Sequence, residues 1–324
     1  MTQMNLVQAI NSGLRTALRQ DEEVLVMGED VGRLGGVFRV TQGLLEEFGS
    51  DRVLDTPLSE TGILGAAIGM ALQGLRPVSE IQFADFIYPG FDQLVSEAAK
   101  YRYRTAGEFC VPLVVRAPYG GGIRGGQYHS QSPEALFIHT PGLKVVCPSN
   151  PYDAKGLLLE AIRDEDPVLF FEPKRVYRAV KMDVPEEPYT VRLGEAKVVR
   201  PGKQVTCLAW GAMLYEAFAA AEEVAKQGVD VEVIDLRTLW PLDIDAILAS
   251  VETTGRVVIV HEAPRTCGFA SELVALIMER AFLHLAAPPV RVTGWDTPFP
   301  LTHEREYLPL AHRIIPALLQ TARY

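Results

Sequence analysis

The chain has 324 residues, which at ~150 residues per domain suggests two domains, each long enough to bury its own core. Hydrophobic residues make up 48% and charged residues 22%, an ordinary composition for a soluble globular protein. Lysine and arginine total 31 against 41 aspartate and glutamate, a net charge of −10, which argues against nucleic acid or an anionic membrane as the main partner.

The longest apolar run, Ile63 to Leu72, contains two glycines and is too short to span a bilayer. The opening text Met-Thr-Gln-Met-Asn-Leu has no basic region and no apolar run, so no signal peptide is expected. Cys110, Cys147, Cys207 and Cys267 lie far apart in sequence, without zinc-ligand or redox-pair spacing. Reduced thiols and a cytoplasmic location are the expectation.

In chain order, Leu6, Val7, Ile10, Leu14 and Leu18 form a helical stripe, and Val24 to Met27 is a buried-strand run. A helix ending at Gly49 precedes a strand around Val53-Leu54. Ser59 and Thr61 can cap a helix that runs to Gly74. Pro77 to Phe83 reads as a strand, Phe91 to Ala98 as a helix, and Val111 to Val115 as a strand before a glycine-rich loop. Leu143 to Cys147 is a strand, Asn150-Pro151 starts a helix ending near Arg163, and Val168 to Phe171 closes the series.

Residues 172–197 carry proline, glutamate and arginine without periodicity and read as a connection. The alternation then restarts: Val205 to Trp210, a helix to Gln227, Val231 to Leu236, a helix from Asp243 to Val251, and Val257 to His261. A helix from about Ser271, a strand from Val290 to Thr293 and a final helix follow. The pattern predicts an α/β fold of two doubly wound domains, 1–185 and 186–324.

The loop Gly120-Gly121-Gly122-Ile123-Arg124-Gly125-Gly126 contains a literal G-x-G-x-x-G. A dinucleotide fingerprint needs those glycines to open an amphipathic helix, with an acid ~20 residues on for the ribose. Polar, loop-like text follows instead, so the fingerprint is disfavoured. His129 at the far end of the loop is an acid–base candidate or a plain solvated histidine. Glu60 sits at a strand-to-helix edge, where ligands gather in doubly wound folds, although an acid in a first helical turn is common for dipole reasons alone. His261-Glu262 lies at a similar edge and reads first as a strand-end turn. Phe83, Phe86, Tyr88 and Phe91 read first as core and surface of one unit, and second as an aromatic cofactor wall.

Taken together, Asp55-Thr56-Pro57-Leu58-Ser59-Glu60-Thr61-Gly62, Glu80-Ile81-Gln82-Phe83-Ala84-Asp85 and His129-Ser130-Gln131-Ser132-Pro133-Glu134-Ala135 resemble the beta subunits of thiamine-diphosphate-dependent 2-oxo acid dehydrogenases. Phe171-Glu172-Pro173-Lys174, Ile234-Asp235-Leu236-Arg237-Thr238, His261-Glu262-Ala263-Pro264 and Asp296-Thr297-Pro298-Phe299-Pro300 extend the resemblance over nearly the whole chain. The Gln-Phe-Ala-Asp, Ser-Pro-Glu-Ala and Phe-Glu-Pro-Lys wording favours the branched-chain branch over the pyruvate and acetoin branches.

The resemblance implies a thiamine-pyrimidine-binding parallel-sheet domain and a transketolase C-terminal-like domain. It implies that Glu60 shares a proton with the pyrimidine ring nitrogen, and that the Leu58 carbonyl accepts from the exocyclic amine. Gln82 and Phe86 would line the same pocket; the family carries tyrosine at the Phe86 position, so a hydroxyl contact is expected to be missing. His129 would serve transfer of the acyl group to a lipoyl arm. The family's diphosphate and magnesium motif, Gly-Asp-Gly with a downstream asparagine, has no match here; Gly28-Glu29-Asp30 is the nearest text. An alpha subunit is therefore expected to hold the diphosphate and magnesium in an alpha2beta2 heterotetramer. The lipoyl domain and peripheral subunit-binding domain of a dihydrolipoyl acyltransferase would be further partners. A non-catalytic docking or dinucleotide-binding subunit is the alternative of another class.

Overall fold

The computed structural model describes residues 1–324. Strand β1 (Thr2–Asn5) runs into helix α1 (Leu6–Gln20) through a reciprocal cap: the Asn5 carboxamide oxygen accepts from the Gln8 amide, and the Gln8 side chain accepts from the Asn5 amide, both at 3.0 Å. Leu6, Ile10 and Leu14 are fully buried on one face, as their spacing dictates. The chain continues through β2 (Val24–Gly28), α2 (Leu44–Phe48), β3 (Val53–Asp55), α3 (Glu60–Leu72), β4 (Arg76–Glu80), α4 (Tyr101–Arg104) and β5 (Val114–Tyr119). Next come α5 (Glu134–Ile138), β6 (Lys144–Val146), α6 (Pro151–Arg163), β7 (Val168–Pro173) and β8 (Lys181–Val184).

The chain forms two compact units, residues 1–119 with 136–193, and residues 120–135 with 194–324. In the first, parallel strands lie in the order β6-β7-β5-β4-β2-β3. The order reverses around β2: β3 lies on one side of it and β4 on the other. In open α/β sheets such a switch point opens a crevice at the carboxyl ends of the strands, here at Gly28, Asp55 and Glu80. Helix α1 packs on α6, where Gly13 leaves room for Leu158.

The second unit holds β9 (Lys197–Arg200), β10 (Val205–Ala209), α7 (Met213–Ala225), β11 (Val231–Asp235), a short β12 (Thr238–Trp240), α8 (Ile244–Thr254) and β13 (Val257–Val260). It ends with α9 (Phe269–Ala281), β14 (Val290–Val292), α10 (Glu304–Tyr307) and α11 (Ala311–Ala322). The sheet order is β14-β13-β10-β11-β9, parallel except for β9. The central strand fixes α8 through a buried hydroxyl cluster, with Thr206 Oγ1 at 2.6 Å from Ser250 and 2.7 Å from Thr254. No helix is long and apolar enough to cross a membrane. None of the four cysteines forms a disulfide, and Cys147 and Cys207 are core residues.

Two segments differ from the sequence reading. The helix expected over 91–98 is present but irregular: it starts at Phe91, widens to a π-helix over Gln93–Glu97 and tightens over Ala98–Lys100. Pro89 and Gly90 precede it, and Gly90 sits so close to Leu64 that the space admits no Cβ. Packing on α3 therefore sets the path of this segment more than its own periodicity does. Within residues 172–197, read as a plain connection, β7 extends to Pro173 and β8 pairs antiparallel with β1. A two-stranded ribbon with one polar face leaves little periodicity to read.

Inside the first unit lies a charge network. Arg116 on β5 is fully buried and donates to Glu172 through Nε (2.7 Å) and Nη2 (3.0 Å), and to Glu80 through Nη1 (2.8 Å). The Tyr177 hydroxyl donates to the same Glu172 carboxylate. Three neighbouring strands are thus joined by side-chain charge as well as by backbone pairing. Arg116→Met would leave two buried carboxylates without their cation. We expect a loss of about 3–5 kcal/mol in urea unfolding followed by circular dichroism, and a loss below about 1 kcal/mol would refute the role assigned to the network.

Candidate active site

The carboxyl edge of β2, β3 and β4 collects polar groups. Glu60 is the first residue of α3, behind Ser59, whose Oγ accepts from the Gly62 amide at 3.3 Å. An acid in that position faces the positive end of the helix dipole. Leu58, two residues earlier, is 79% exposed and lies at the rim. Thr61 Oγ1 donates to the Pro89 carbonyl at 2.5 Å, and a Cβ on Gly90 would lie 3.2 Å from the Glu60 carbonyl. The helix start and the aromatic turn at 83–90 are therefore tied together.

Gln82 follows β4 and donates from Nε2 to Asp30 at 3.1 Å. Phe86 packs edge-on against Phe83 (ring centroids 5.5 Å apart), which packs in turn on Phe38 at 5.4 Å. Burial pushes the Glu29 carboxyl above its ordinary range, and the negative charges of Glu60 and Asp30 push it the same way. Asp55 accepts from the amides of Gly32 (2.6 Å) and Arg33 (3.0 Å), fixing the loop that follows Glu29 and Asp30. The structure thus brings Leu58, Glu60, Gln82 and Phe86 to one edge. It adds Glu29 and Asp30, which the sequence reading weighed only as a poor metal motif.

His129 belongs to the second unit by packing. Its loop leaves β5 and closes on itself where the Gly120 amide donates to the Gln131 carbonyl at 2.9 Å. Gly121 donates to Glu262 at 2.7 Å, while Gly122 and Arg124 donate to the two oxygens of Glu304 at 2.6 and 2.8 Å. These amides are taken by the protein's own carboxylates, and only a single turn, Gly126–Tyr128, follows them. The loop therefore lacks both the free amides and the helix that a dinucleotide diphosphate requires. Sequence reasoning missed Glu304 altogether, and no local pattern marks it.

Glu134 is 1% exposed and stands beside Glu262. Neither of its oxygens makes a hydrogen bond of good geometry, although its own amide and the Trp210 indole partly offset the burial. Burial first, and the Glu262 charge second, push its carboxyl from 4.5 to about 7. His261 stacks on Trp210 at 5.3 Å, and burial pulls its imidazole down to about 3, with Arg291 and Arg265 adding to the effect. A neutral, buried histidine of this kind suits packing, not proton transfer near pH 7.

Because folding raises the Glu134 pKa, the native state binds its proton more tightly than the unfolded chain does. The resulting stabilisation is fully present below about pH 4.5 and is lost as pH rises through about 7. Glu134→Gln keeps the neutral form at every pH. The stability difference between wild type and variant is expected to change by about 3 kcal/mol across that window in denaturant titrations, and a flat difference would refute it.

Residues 2–180 match the family model for the transketolase pyrimidine-binding domain, and residues 194–314 match the transketolase C-terminal domain. The chain is 53% identical over 330 residues to the 2-oxoisovalerate dehydrogenase subunit beta of Pseudomonas aeruginosa, covering 97% of this chain and 93% of that one. It is 56% identical over 310 residues to the mitochondrial 2-oxoisovalerate dehydrogenase subunit beta of Dictyostelium discoideum (94% and 83% covered). It is 51% identical over 324 residues to the pyruvate dehydrogenase E1 component subunit beta of Bacillus subtilis (100% and 98% covered). A solved split-gene transketolase, described as an inactive beta4 tetramer, shares the fold with a TM-score of 0.78 at 20% identity, covering 99% of this chain and 98% of that one. A pyrimidine-binding domain followed by a transketolase C-terminal domain, at these identities over the full length, makes the chain a member of the beta subunits of the thiamine-diphosphate-dependent 2-oxo acid dehydrogenases.

Proposed function

We propose that the chain is the beta subunit of a branched-chain 2-oxo acid dehydrogenase, active with an alpha subunit in an alpha2beta2 heterotetramer. The observation that carries this reading is Glu60 at the N-terminus of α3, on the edge where Gln82 and Phe86 also stand. An acid at a helix start, the backbone carbonyl of the exposed residue Leu58 and aromatic rings are the kinds of donor, acceptor and flat contact that a pyrimidine ring needs. When bound, thiamine diphosphate supplies the electron sink for decarboxylation of a 2-oxo acid. Glu60 holds a proton at the pyrimidine ring nitrogen, the Leu58 carbonyl orients the exocyclic amine, and Gln82 and Phe86 close the sides. Phe86 does so without a hydroxyl, so orientation there rests on ring contact alone.

The donor set of this chain has no group of His, Cys, Asp and Glu arranged to hold a metal ion. Magnesium and the diphosphate fall to the alpha subunit on this reading. His129 serves acyl transfer to a lipoyl domain, and the second unit docks the peripheral subunit-binding domain of the acyltransferase. Two relatives named for 2-oxoisovalerate, at 53% and 56% identity, favour the branched-chain substrate. The 51% identity to a pyruvate enzyme supports the second reading, a pyruvate or acetoin dehydrogenase. The location proposed is the cytoplasm.

Two measurements on the reconstituted heterotetramer test the proposal. The kcat/KM for 4-methyl-2-oxopentanoate is expected to exceed that for pyruvate by at least about tenfold, since an apolar pocket gains roughly 1–3 kcal/mol per methylene; the reverse order would favour the pyruvate reading. Glu60→Gln is expected to cut decarboxylation by about 100-fold or more. His129→Ala is expected to cut lipoyl acylation far more than decarboxylation. Full activity in Glu60→Gln would favour a non-catalytic subunit, and equal losses in His129→Ala would remove the division of labour.

A further inference from the structure

We propose that Glu304 is a positioning residue that sets His129 for acyl transfer by clamping the backbone of the loop that carries it. The proposal rests on the reading of His129 given above. It begins from two short bonds: both oxygens of one carboxylate are occupied by backbone amides of a single turn, Gly122 at 2.6 Å and Arg124 at 2.8 Å. Bonds from amides to an ionised acceptor are roughly twice as strong as neutral ones. Glu304 is 8% exposed, so little water competes for its oxygens.

The amides converge on one acid because of the turn between them. Gly122 has φ +102° and Arg124 has φ +55°. An arginine in the left-handed region carries a conformational cost that must be offset elsewhere. The two bonds to Glu304 are the visible compensation. Glu262 anchors the preceding amide of Gly121 from the same unit, and the Gly120 to Gln131 bond closes the base of the loop.

The clamp reaches His129 through a tight turn. A Cβ on Gly125 would lie 2.6 Å from the His129 Cβ and 3.1 Å from its carbonyl oxygen. The Gly125 backbone therefore lies so close to His129 that no side chain larger than hydrogen fits at position 125 without displacing it. A shift in the clamped turn moves the imidazole with it. Misplacement of a reacting group by about 1 Å costs up to about 100-fold in rate.

The test uses the reconstituted heterotetramer. Three quantities are measured: reductive acylation of a lipoyl domain, decarboxylation with an artificial electron acceptor, and amide exchange at Gly122 and Arg124. Glu304→Ala is expected to speed exchange at those two amides and to lower the kcat for acylation about tenfold, against a clearly smaller loss in decarboxylation. Glu304→Gln, which keeps one acceptor oxygen, is expected to recover part of the loss. Adding Glu304→Ala to His129→Ala is expected to cost no further acylation, because the clamp acts through the histidine. Normal acylation in Glu304→Ala, while His129→Ala is impaired, would overturn this proposal alone. A full additional loss in the double variant would overturn it as well. Normal acylation in His129→Ala would overturn the reading of His129 and the proposal with it.

Discussion

The guanidinium of Arg116, buried between Glu80 and Glu172, is the constraint on which the first unit depends. Three adjacent strands, β4, β5 and β7, each contribute one member, so their relative register is fixed by charge. A one-residue slip of any strand would turn its member to the other face of the sheet and strand the rest in the core. One cation against two carboxylates leaves a surplus of negative charge; burial and the Glu172 charge push the Glu80 carboxyl upward, while Arg116 opposes them. Glu80 in turn abuts the loop after β2: a Cβ on Gly36 would lie 3.0 Å from its Oε1. Gln82, two residues beyond, bonds Asp30 near the start of that same loop. The network thus reaches from the sheet interior to the rim where Glu60 stands.

Each unit uses the same device with different partners. In the first, Asp55 takes two successive loop amides, at Gly32 and Arg33. In the second, Glu304 takes amides at Gly122 and Arg124, and Glu262 takes that of Gly121. Loops over the carboxyl ends of strands have few regular partners for their backbone, and an acceptor that bonds two amides at once satisfies them without a helix or strand. The rigidity needed for function comes from side chains that look, in sequence, like ordinary surface acids.

This is why some features were legible in the sequence and others were not. The alternation of strand and helix was legible because periodicity reports burial directly, as the stripe Leu6, Ile10 and Leu14 does. The Ser59 cap was legible because its chemistry is local. Glu60 stood out by its place at a strand-to-helix edge, but that place alone fits a plain first-turn acid equally well. Only the comparison of several segments with a family pattern tied it to Leu58, Gln82 and Phe86. Arg116 was invisible, since a charged residue in a strand reads as solvated until its two acids, 36 and 56 positions away, are known. Glu304, 182 positions from Gly122, was invisible for the same reason. Nor does any local signal say that residues 120–135 leave the first unit and pack with the second.

The glycine-rich loop shows how a motif and its meaning come apart. Its glycines do what glycines do in an anion-binding loop: Gly120, Gly122 and Gly126 all have positive φ, which lets amides point one way. The anions they meet are Glu262 and Glu304, supplied by the same chain. A dinucleotide site would need those amides vacant and a long helix behind them; here they are filled, and one turn follows. The spacing G-x-G-x-x-G therefore predicts the backbone conformation correctly and the ligand wrongly. What separates the two is a pair of carboxylates more than a hundred residues downstream, which turns a site for phosphate into a scaffold for a histidine.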